Sequence, residues 1–259
     1  MHDDPLDPFV TAPELAGVFL DFDGTLSDIA LVPSEARPVA GVKELLSRLA
    51  GRFRLVAVVS GRSAVELLSW LGPDIEIWGI HGAQRVRKGQ VELSDRARPY
   101  ADLMQRVKID AQRRLDSLDL PGVVLEDKGV MLGLHFRAAS DPEAARESLD
   151  VIAAELAAGY GLTRAGGRLA FELRPPIEFA KSQVVLQRAR EAALKAAMFI
   201  GDDRVDLPGF DALDKLEAEG LRVLRVAVRS DEVPAELLER ADIVVEGPAG
   251  VLAFLRRLA

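Results

Sequence analysis

Two blocks of alternating apolar strands and amphipathic helices constrain the fold of this chain more than any other feature. The apolar run Val18 to Leu20 is followed by a helical pattern from about Pro38 to Ala50. A second apolar run, Leu55 to Val59, precedes a helical pattern at Ser63 to Trp70, and a third run lies at Ile75 to Ile80. Strands that alternate with helices in this way favour a parallel sheet with helices packed on its faces.

The pattern changes in the middle of the chain. Long helical stretches at Tyr100 to Leu118 and Asp141 to Ala158 are each followed by two strand-like runs. The second pair of runs, Leu162 to Arg164 and Arg168 to Leu173, is joined by Gly166-Gly167, which is a typical hairpin signal. Helix, hairpin, helix, hairpin predicts an α+β domain with an antiparallel sheet.

The alternation of helices and strands resumes after Pro175-Pro176, from Lys181 onwards. The first and last parts of the chain are therefore expected to share one sheet. We predict a core formed by residues 1–96 and 177–259, with residues 97–176 inserted between the two parts as a separate domain. The predicted fold class is α/β, and the inserted domain is of the α+β type.

Composition excludes several classes of function. The chain has 33 basic and 41 acidic residues and a net charge of −8, which argues against a nucleic-acid partner. It contains no cysteine, so disulfides, thiolate nucleophiles and cysteine-bound metals are excluded. The acidic start of the sequence does not resemble a secretory signal, and no apolar stretch reaches the ~20 residues of a spanning helix. We expect a soluble, cytoplasmic protein without a membrane partner.

The segment Asp21-Phe22-Asp23-Gly24-Thr25-Leu26 directly follows the first apolar run. Open α/β sheets bind ligands at the carboxyl ends of their strands, and alternation places Asp21 and Asp23 on the same side of an extended chain. Two such carboxylates repel each other unless one is protonated or a cation binds them, and an oxygen-rich site suits Mg²⁺. A helix cap with an ordinary acidic turn is the alternative interpretation. The position after a strand and the Gly-Thr pair favour the metal site.

This hexapeptide resembles the first motif of the haloacid dehalogenase superfamily, and three later segments resemble its other motifs in the same order. They are Ser60-Gly61-Arg62 after the second strand, Lys181 at the start of a helix, and the acidic segment Gly201 to Asp206. The resemblance implies a Rossmann-like core with a parallel sheet flanked by helices. An insertion between the second and third motifs resembles the IIB cap class, an α+β cap domain with an antiparallel sheet that serves sugar phosphatases.

The resemblance also implies a mechanism. Asp21 would attack phosphorus to form a phosphoaspartate, and Asp23 would protonate the leaving oxygen and then activate water. Ser60 and Lys181 would hold the phosphoryl oxygens. The implied cofactor is Mg²⁺, and the implied metal site consists of Asp21, Asp23 through its backbone carbonyl, Asp202 and Asp206, the last as a ligand or as a partner of one.

Within the superfamily, nearly the whole chain resembles trehalose-6-phosphate phosphatases. The segments that carry this likeness, besides the four motifs, are Gly79 to Ala83, Glu126 to Arg137 and Phe171 to Pro175. In that family, residues matching Glu126, Lys128 and Glu172 reach glucose hydroxyls, and charged hydrogen bonds suit this task. Arg62 and His81 are further candidate substrate-binding residues. From the residues alone, His81 could equally be structural, Glu126 and Lys128 a solvated pair, and Arg62 a phosphate contact or an interdomain contact.

The chain departs from the family pattern in two places. The usual Asp-Lys-Gly triplet of the third motif is Ala180-Lys181-Ser182, and the usual Thr-Asp-Glu-Asp of the fourth is Val205-Asp206-Leu207-Pro208, which keeps one of three carboxylates. The function implied is magnesium-dependent hydrolysis of trehalose 6-phosphate by a phosphoric monoester hydrolase. The expected partners are this small-molecule substrate and the synthase that makes it.

Two alternatives remain at this point. The chain could be another sugar-phosphate phosphatase of the same cap class, acting on sucrose, glucosylglycerol or mannosylglycerate phosphate. It could also be a sugar-phosphate sensor without turnover. The sequence does not predict an oligomeric state.

Overall fold

The computed structural model describes residues 4–29, 35–118, 120–167, 169–230 and 233–259. The chain divides into two compact units. The first, which we call the core unit, consists of Met1–Glu92 together with Phe179–Ala259, and the second, which we call the inserted unit, is Leu93–Glu178. The insertion predicted at residues 97–176 lies inside the second of these units.

The strands and helices are numbered in chain order. The strands are β1 Ala16–Leu20, β2 Leu55–Val59, β3 Glu76–Gly79, β4 Gln84–Arg87, β5 Gln90–Leu93, β6 Val124–Asp127, β7 Leu132–His135, β8 Thr163–Gly167, β9 Ala170–Arg174, β10 Ala196–Gly201, β11 Arg222–Arg229 and β12 Ile243–Glu246. The helices are α1 Asp7–Thr11, α2 Val42–Ala50, α3 Ala64–Leu71, α4 Ala101–Asp116, α5 Pro142–Tyr160, α6 Lys181–Glu191, α7 Leu207–Ala218, α8 Ala235–Arg240 and α9 Gly247–Arg256. In the described parts of the chain, no helix is both long and apolar enough to cross a membrane.

The large sheet has the strand order β12-β11-β10-β1-β2-β3-β4-β5. The strands from β12 to β3 are parallel, and β4 runs antiparallel to β3. Because β1 lies between β10 and β2, the residues that follow these three strands emerge at one edge of the sheet. This edge receives Asp21, Ser60 and Asp202, each one position beyond the end of its strand.

Both faces of the parallel sheet are covered by apolar side chains. Val18 and Leu20 of β1 belong to one buried cluster, and Phe19 between them belongs to the other. Side chains of a strand alternate between the two faces, so a strand that is buried on both has no polar positions. This explains why β1, β2 and β10 are continuous apolar runs in the sequence.

The sheet of the inserted unit has the order β6-β7-β9-β8, and its neighbouring strands are antiparallel. Leu132, Leu134 and Leu173 are buried in one cluster with residues of α4 and α5. The alternating positions belong to the opposite face of the sheet, where Glu126, Gly133 and Glu172 form one row across three strands. The helices therefore cover one face of this sheet, and the other face carries polar groups.

The predicted fold class is confirmed, but two strands and two helices were not predicted. Strands β4 and β5 extend the core sheet beyond β3, although their sequences, QRVR and QVEL, contain no apolar run. Helices α1 and α8 were also not predicted. The strand predicted from Arg168 begins at Ala170 in the described residues, and Arg168 itself lies outside them.

Candidate active site

Polar side chains from several core elements surround one cavity of about 320 Å³. Its lining comprises residues that follow three strands, the first residue of α6 and a short stretch after β3; these are Asp21, Asp23, Ile29, Ser60, Gly61, His81, Lys181, Asp202, Asp203 and Val205. Asp21, Ser60, Lys181 and Asp202 are buried. The convergence follows from the strand order, because β10, β1 and β2 are neighbours that end at the same edge.

A buried ammonium group connects two carboxylates in this cavity. Lys181 Nζ lies 2.5 Å from Asp21 Oδ1 and 2.6 Å from Asp206 Oδ1, and its side chain is only 1% exposed. The other oxygen of Asp206 accepts the backbone N–H groups of Asp202 at 3.1 Å and Asp203 at 3.2 Å. Asp206 thus joins the start of α6 to the loop that follows β10. Both of its oxygens already have partners within the protein.

The charges of this cluster do not balance. Burial and the charge of Asp206 raise the pKa of Asp21 from 3.8 to about 7, although Lys181 opposes the shift. Burial and the charges of Asp21 and Asp206 raise the pKa of Asp202 from 3.8 to about 8. Burial disfavours the charged form of Lys181, but the two neighbouring carboxylates outweigh it and raise its pKa. Three ionised carboxylates and one ammonium leave two negative charges, which a divalent cation would neutralise.

The residues present fit such a cation. One ligand oxygen from each of Asp21, Asp202 and Asp206 can be chosen so that all lie within 4.8 Å of one another. Among the described residues, Asp202 Oδ1 is a buried oxygen without a hydrogen-bond partner. Gly24 has a φ of +72°, and a Cβ at this position would overlap the Asp202 carboxyl group. A buried set of oxygen ligands, one of them unsatisfied, suits a hard divalent cation.

Asp23 is in a different environment from Asp21. Its side chain is 41% exposed and forms a two-pronged ion pair with Arg62. The Arg62 side chain is 10% exposed. The two carboxylates of the tripeptide Asp21 to Asp23 therefore have different partners, a lysine for the first and an arginine for the second.

Ser60 and His81 lie next to each other after β2 and β3. The Ser60 carbonyl accepts the N–H of His81 at 2.8 Å, and Ser60 Oγ accepts the N–H of Arg62 at 3.2 Å. Ile80 and His81 have φ values of +50° and +54°, an unusual conformation for side chains other than glycine. Strained backbone of this kind is found preferentially at functional sites.

A second polar cluster lies on the inserted unit. Lys128 Nζ is 3.3 Å from both Glu126 Oε2 and Glu172 Oε1, and His135 Nε2 is 2.8 Å from Glu126 Oε2. Arg174 also pairs with Glu172. Burial disfavours ionisation of Glu172, but hydrogen bonds from Arg174 and the charges of Arg174 and Lys128 lower its pKa. We call Glu126, Lys128, His135, Glu172 and Arg174 the inserted-unit cluster.

The row that holds this cluster has a gap at its centre. Gly133 lies between Glu126 and Glu172 in the register of the sheet. A Cβ added to Gly133 would come within 2.6 Å of His135 Nε2 and 3.3 Å of Glu126 Oε2. The polar head groups therefore use the space that a side chain at position 133 would fill.

The trehalose-phosphatase family model matches residues 19–239, which include both the cavity and the inserted-unit cluster. The chain belongs to the trehalose-phosphatase family. It is 35% identical over 254 residues to the trehalose-phosphate phosphatase of Mycobacterium avium (strain 104) and 30% identical over 253 residues to that of Mycobacterium tuberculosis (strain CDC 1551 / Oshkosh). Each match covers 93% of this chain and 61% of the relative. The chain thus spans about three fifths of the length of these curated relatives.

Solved structures agree with this assignment. A trehalose-6-phosphate phosphatase related protein has a TM-score of 0.70 and 26% identity, with 93% of this chain and 96% of that chain covered. Trehalose-6-phosphate phosphatase from Aspergillus fumigatus has a TM-score of 0.61 and 25% identity, with 98% and 96% covered. A haloacid dehalogenase-like hydrolase from Bacteroides thetaiotaomicron, at 14% identity and a TM-score of 0.60 with 94% and 99% covered, shares the fold.

The site residues predicted from the resemblance fall into two groups in this trehalose-phosphatase family member. The first surrounds the cavity of the core unit and consists of Asp21, Asp23, Ser60, His81, Lys181 and Asp202, with Arg62 and Asp206 bound to members of it. The second is Glu126, Lys128 and Glu172 in the inserted unit.

Some contributors were not predicted from the sequence. Asp203, Ile29 and Val205 line the cavity, and Arg174 pairs with Glu172. The sequence could have indicated Arg174, because it lies two positions after Glu172 in β9 and therefore on the same face of the strand. No sequence pattern distinguishes Ile29 or Val205 from other apolar residues in loops.

The raised pKa of Asp202 predicts how the metal-free protein responds to pH. A carboxyl group whose pKa rises on folding binds its proton more tightly in the folded state, so stability falls as the pH rises from 3.8 towards about 8. Asp202→Asn cannot ionise and should escape this loss. In EDTA, we expect its melting temperature to exceed that of the parent chain by an amount that grows between pH 5 and pH 8.

Asp203→Asn is the matched control because Asp203 is the neighbouring carboxylate on the same loop and is exposed. Its melting temperature should follow that of the parent across the same range. A constant difference between Asp202→Asn and the parent at every pH would contradict the prediction.

Proposed function

We propose that this chain hydrolyses trehalose 6-phosphate to trehalose and phosphate, and that Asp21 forms a covalent phosphoaspartate. The observation that carries the proposal is the position of Asp21, a buried carboxylate at the end of β1 that is held by Lys181 in the cavity. Membership of the trehalose-phosphatase family supports the substrate.

The residues of the cavity can divide the reaction into two steps. In the first, an oxygen of Asp21 attacks phosphorus, the bond between phosphorus and the sugar oxygen breaks, and Asp23 gives its proton to that oxygen. In the second, water attacks the phosphorus of the phosphoaspartate and Asp23 takes a proton from the water. The bond between phosphorus and Asp21 breaks, which regenerates the Asp21 carboxylate and releases phosphate. Lys181 and Ser60 hold the phosphoryl oxygens during both steps.

Mg²⁺ is the cation that the oxygen ligands favour. Asp21, Asp202 and the backbone carbonyl of Asp23 would hold it, and a bound cation would offset the repulsion between the Asp21 carboxylate and the phosphate. Asp206 has both oxygens occupied by Lys181 and by backbone N–H groups. We therefore assign Asp206 to positioning Lys181 and the loop of Asp202.

The inserted-unit cluster is proposed to recognise the sugar. Glu126 and Glu172 offer charged acceptors, and Lys128, whose Nζ lies 3.3 Å from each of them, offers a charged donor; this set suits a ligand with several hydroxyl groups. His135 and Arg174 each hold one of the two glutamates in position. A cytoplasmic location and association with the synthase that makes trehalose 6-phosphate also remain predictions.

Asp21→Asn should abolish turnover while the fold is retained, because an amide does not attack phosphorus. Phosphate release from trehalose 6-phosphate by the purified variant should fall to background, since a nucleophile acts as a unit with its partners. The control is Asp28→Asn, which changes an exposed aspartate on the same loop. Normal turnover by a folded Asp21→Asn protein would exclude the covalent mechanism, and an inactive parent chain would favour a sensor.

Removal of divalent cations should stop turnover. We expect no phosphate release in EDTA and recovery with excess Mg²⁺, because the proposed ligands are all oxygens. Ca²⁺ should restore much less activity, since it prefers more ligands at longer distances and would misplace Asp21 relative to phosphorus. Full activity in metal-free buffer would contradict the assignment of the carboxylates.

Alanine at Glu126, Lys128 or Glu172 should reduce hydrolysis of trehalose 6-phosphate far more than that of p-nitrophenyl phosphate. The aryl ester has no sugar, so it needs only the cavity of the core unit. Loss of one charged hydrogen bond costs about 1.5–3 kcal/mol, which corresponds to about a 10- to 150-fold loss in kcat/KM.

Lys108→Ala is a suitable control for this comparison because Lys108 also pairs with an acidic residue of β6, Asp127. It should affect neither substrate. Equal losses on both substrates would assign the three residues to folding of the inserted unit. If the parent chain hydrolysed sucrose phosphate efficiently and trehalose 6-phosphate poorly, the proposed substrate would be wrong. The proposed phosphoaspartate mechanism would be unaffected.

A further inference from the structure

Arg62 holds the whole carboxylate of Asp23. Its Nε lies 3.0 Å from Asp23 Oδ1 and 2.8 Å from Oδ2, and its Nη2 lies 2.7 Å from Oδ1. Contacts from two nitrogens of a planar guanidinium to both oxygens fix the orientation of a carboxylate as well as its position. The rotamer of Asp23 in this structure is therefore set by Arg62.

The guanidinium is fixed in turn by two aromatic rings. Its central carbon lies 5.6 Å from the centre of the Phe22 ring and 5.3 Å from the centre of the Trp70 ring. The two rings stack on each other at 5.3 Å with an interplanar angle of 20°. Contacts between an arginine and an aromatic face are favourable, and they restrict the guanidinium without occupying its hydrogen-bond donors.

The backbone of Arg62 is also anchored. Its N–H donates to Ser60 Oγ at 3.2 Å, and its carbonyl accepts the N–H of Ile80 at 2.8 Å. The next residue, Ser63, caps the N-terminus of α3. Backbone, aromatic faces and carboxylate together hold Arg62 from its main chain to its charged end.

We infer that Arg62 is a positioning residue that aims the carboxyl group of Asp23 at the leaving oxygen, and that Phe22 and Trp70 are the support for this arrangement. The inference rests on the proposed function. The alternative, a direct phosphate contact, is less compatible with the geometry, because Nε and Nη2 are engaged by Asp23. Lys181 and Ser60 remain for the phosphoryl oxygens.

A positioning role through Asp23 has a specific kinetic consequence. Asp23 gives a proton to the departing oxygen, so a misaligned carboxyl group harms esters of weakly acidic alcohols most and hardly affects esters whose leaving group departs unaided. The value of kcat/KM reports the steps up to departure of the alcohol, which excludes the later hydrolysis of the phosphoaspartate. A direct phosphate contact would instead affect every monoester by the same factor.

The test compares p-nitrophenyl phosphate, phenyl phosphate and trehalose 6-phosphate, in order of increasing basicity of the leaving oxygen. Arg62→Lys keeps the charge and loses the two-pronged geometry. We expect a loss in kcat/KM of less than about threefold on the first substrate, a larger loss on the second and about 10- to 100-fold on the third. Phenyl phosphate separates the leaving-group effect from sugar recognition, because it carries no sugar.

Two further comparisons make the test specific. In a chain that already carries Asp23→Asn, adding Arg62→Lys should produce no further dependence on the leaving group, because coupled residues are not additive. Trp70→Phe should keep the leaving-group dependence close to that of the parent, whereas Trp70→Leu should shift it towards that of Arg62→Lys. Arg37→Lys is the control, since Arg37 also lies over Trp70, at 5.5 Å, and donates to the Ala36 carbonyl.

Equal losses on all three substrates, or additive losses in the double variant, would overturn the inference and return Arg62 to a phosphate contact. The proposed function would survive that result, because the parent chain would still be active and Asp21→Asn inactive. A parent chain that hydrolyses none of the three esters would overturn both.

Discussion

The structure of the site depends on one buried ammonium group. Lys181 lies between Asp21 and Asp206 with 1% of its side chain exposed. A buried charge is tolerated only when it is paired, and removing one partner of such a pair is strongly destabilising. The end of β1, the start of α6 and the loop after β10 are thus tied to a single point. An arrangement of these three elements that separated the charges would leave a buried charge unpaired and would destabilise the fold.

The single positive charge of Lys181 does not neutralise the carboxylates around it. Asp21 and Asp23 therefore have different electrostatic environments although only one residue separates them. Asp21 shares Lys181 with other carboxylates, and its pKa is raised to about 7. Asp23 lies outside this buried cluster, is 41% exposed and has Arg62 as its partner. Carboxylates in unlike surroundings can take unlike roles. The nucleophile that we propose is the buried one, and the proton donor is the one that water and substrate can reach.

Buried apolar strands and residues of known motifs could be predicted from the sequence, whereas polar strands and contacts made only by packing could not. Val18 to Leu20 was identified because a strand covered on both faces must be apolar throughout. Strands β4 and β5, the last two of the sheet, were not predicted because most of their side chains are polar and form no apolar run. Lys181 was found through the resemblance to a known motif. The support of Arg62 by Trp70 was not, since α3 places Trp70 among ordinary helix residues and only the packing brings the two together.

The departures from the family pattern also acquire a physical meaning. Ala180 is the N-cap of α6 and has no side-chain cap, so the aspartate usual in the family would have supplied one, worth about 1 kcal/mol. Leu207 and Pro208 begin α7. The helix dipole would stabilise acidic residues at these positions, and proline is well tolerated there. Both changes therefore act on helix ends. Asp206, the carboxylate that is kept, is the one that contacts Lys181, so the charge pairing on which the site depends does not require the residues that were lost.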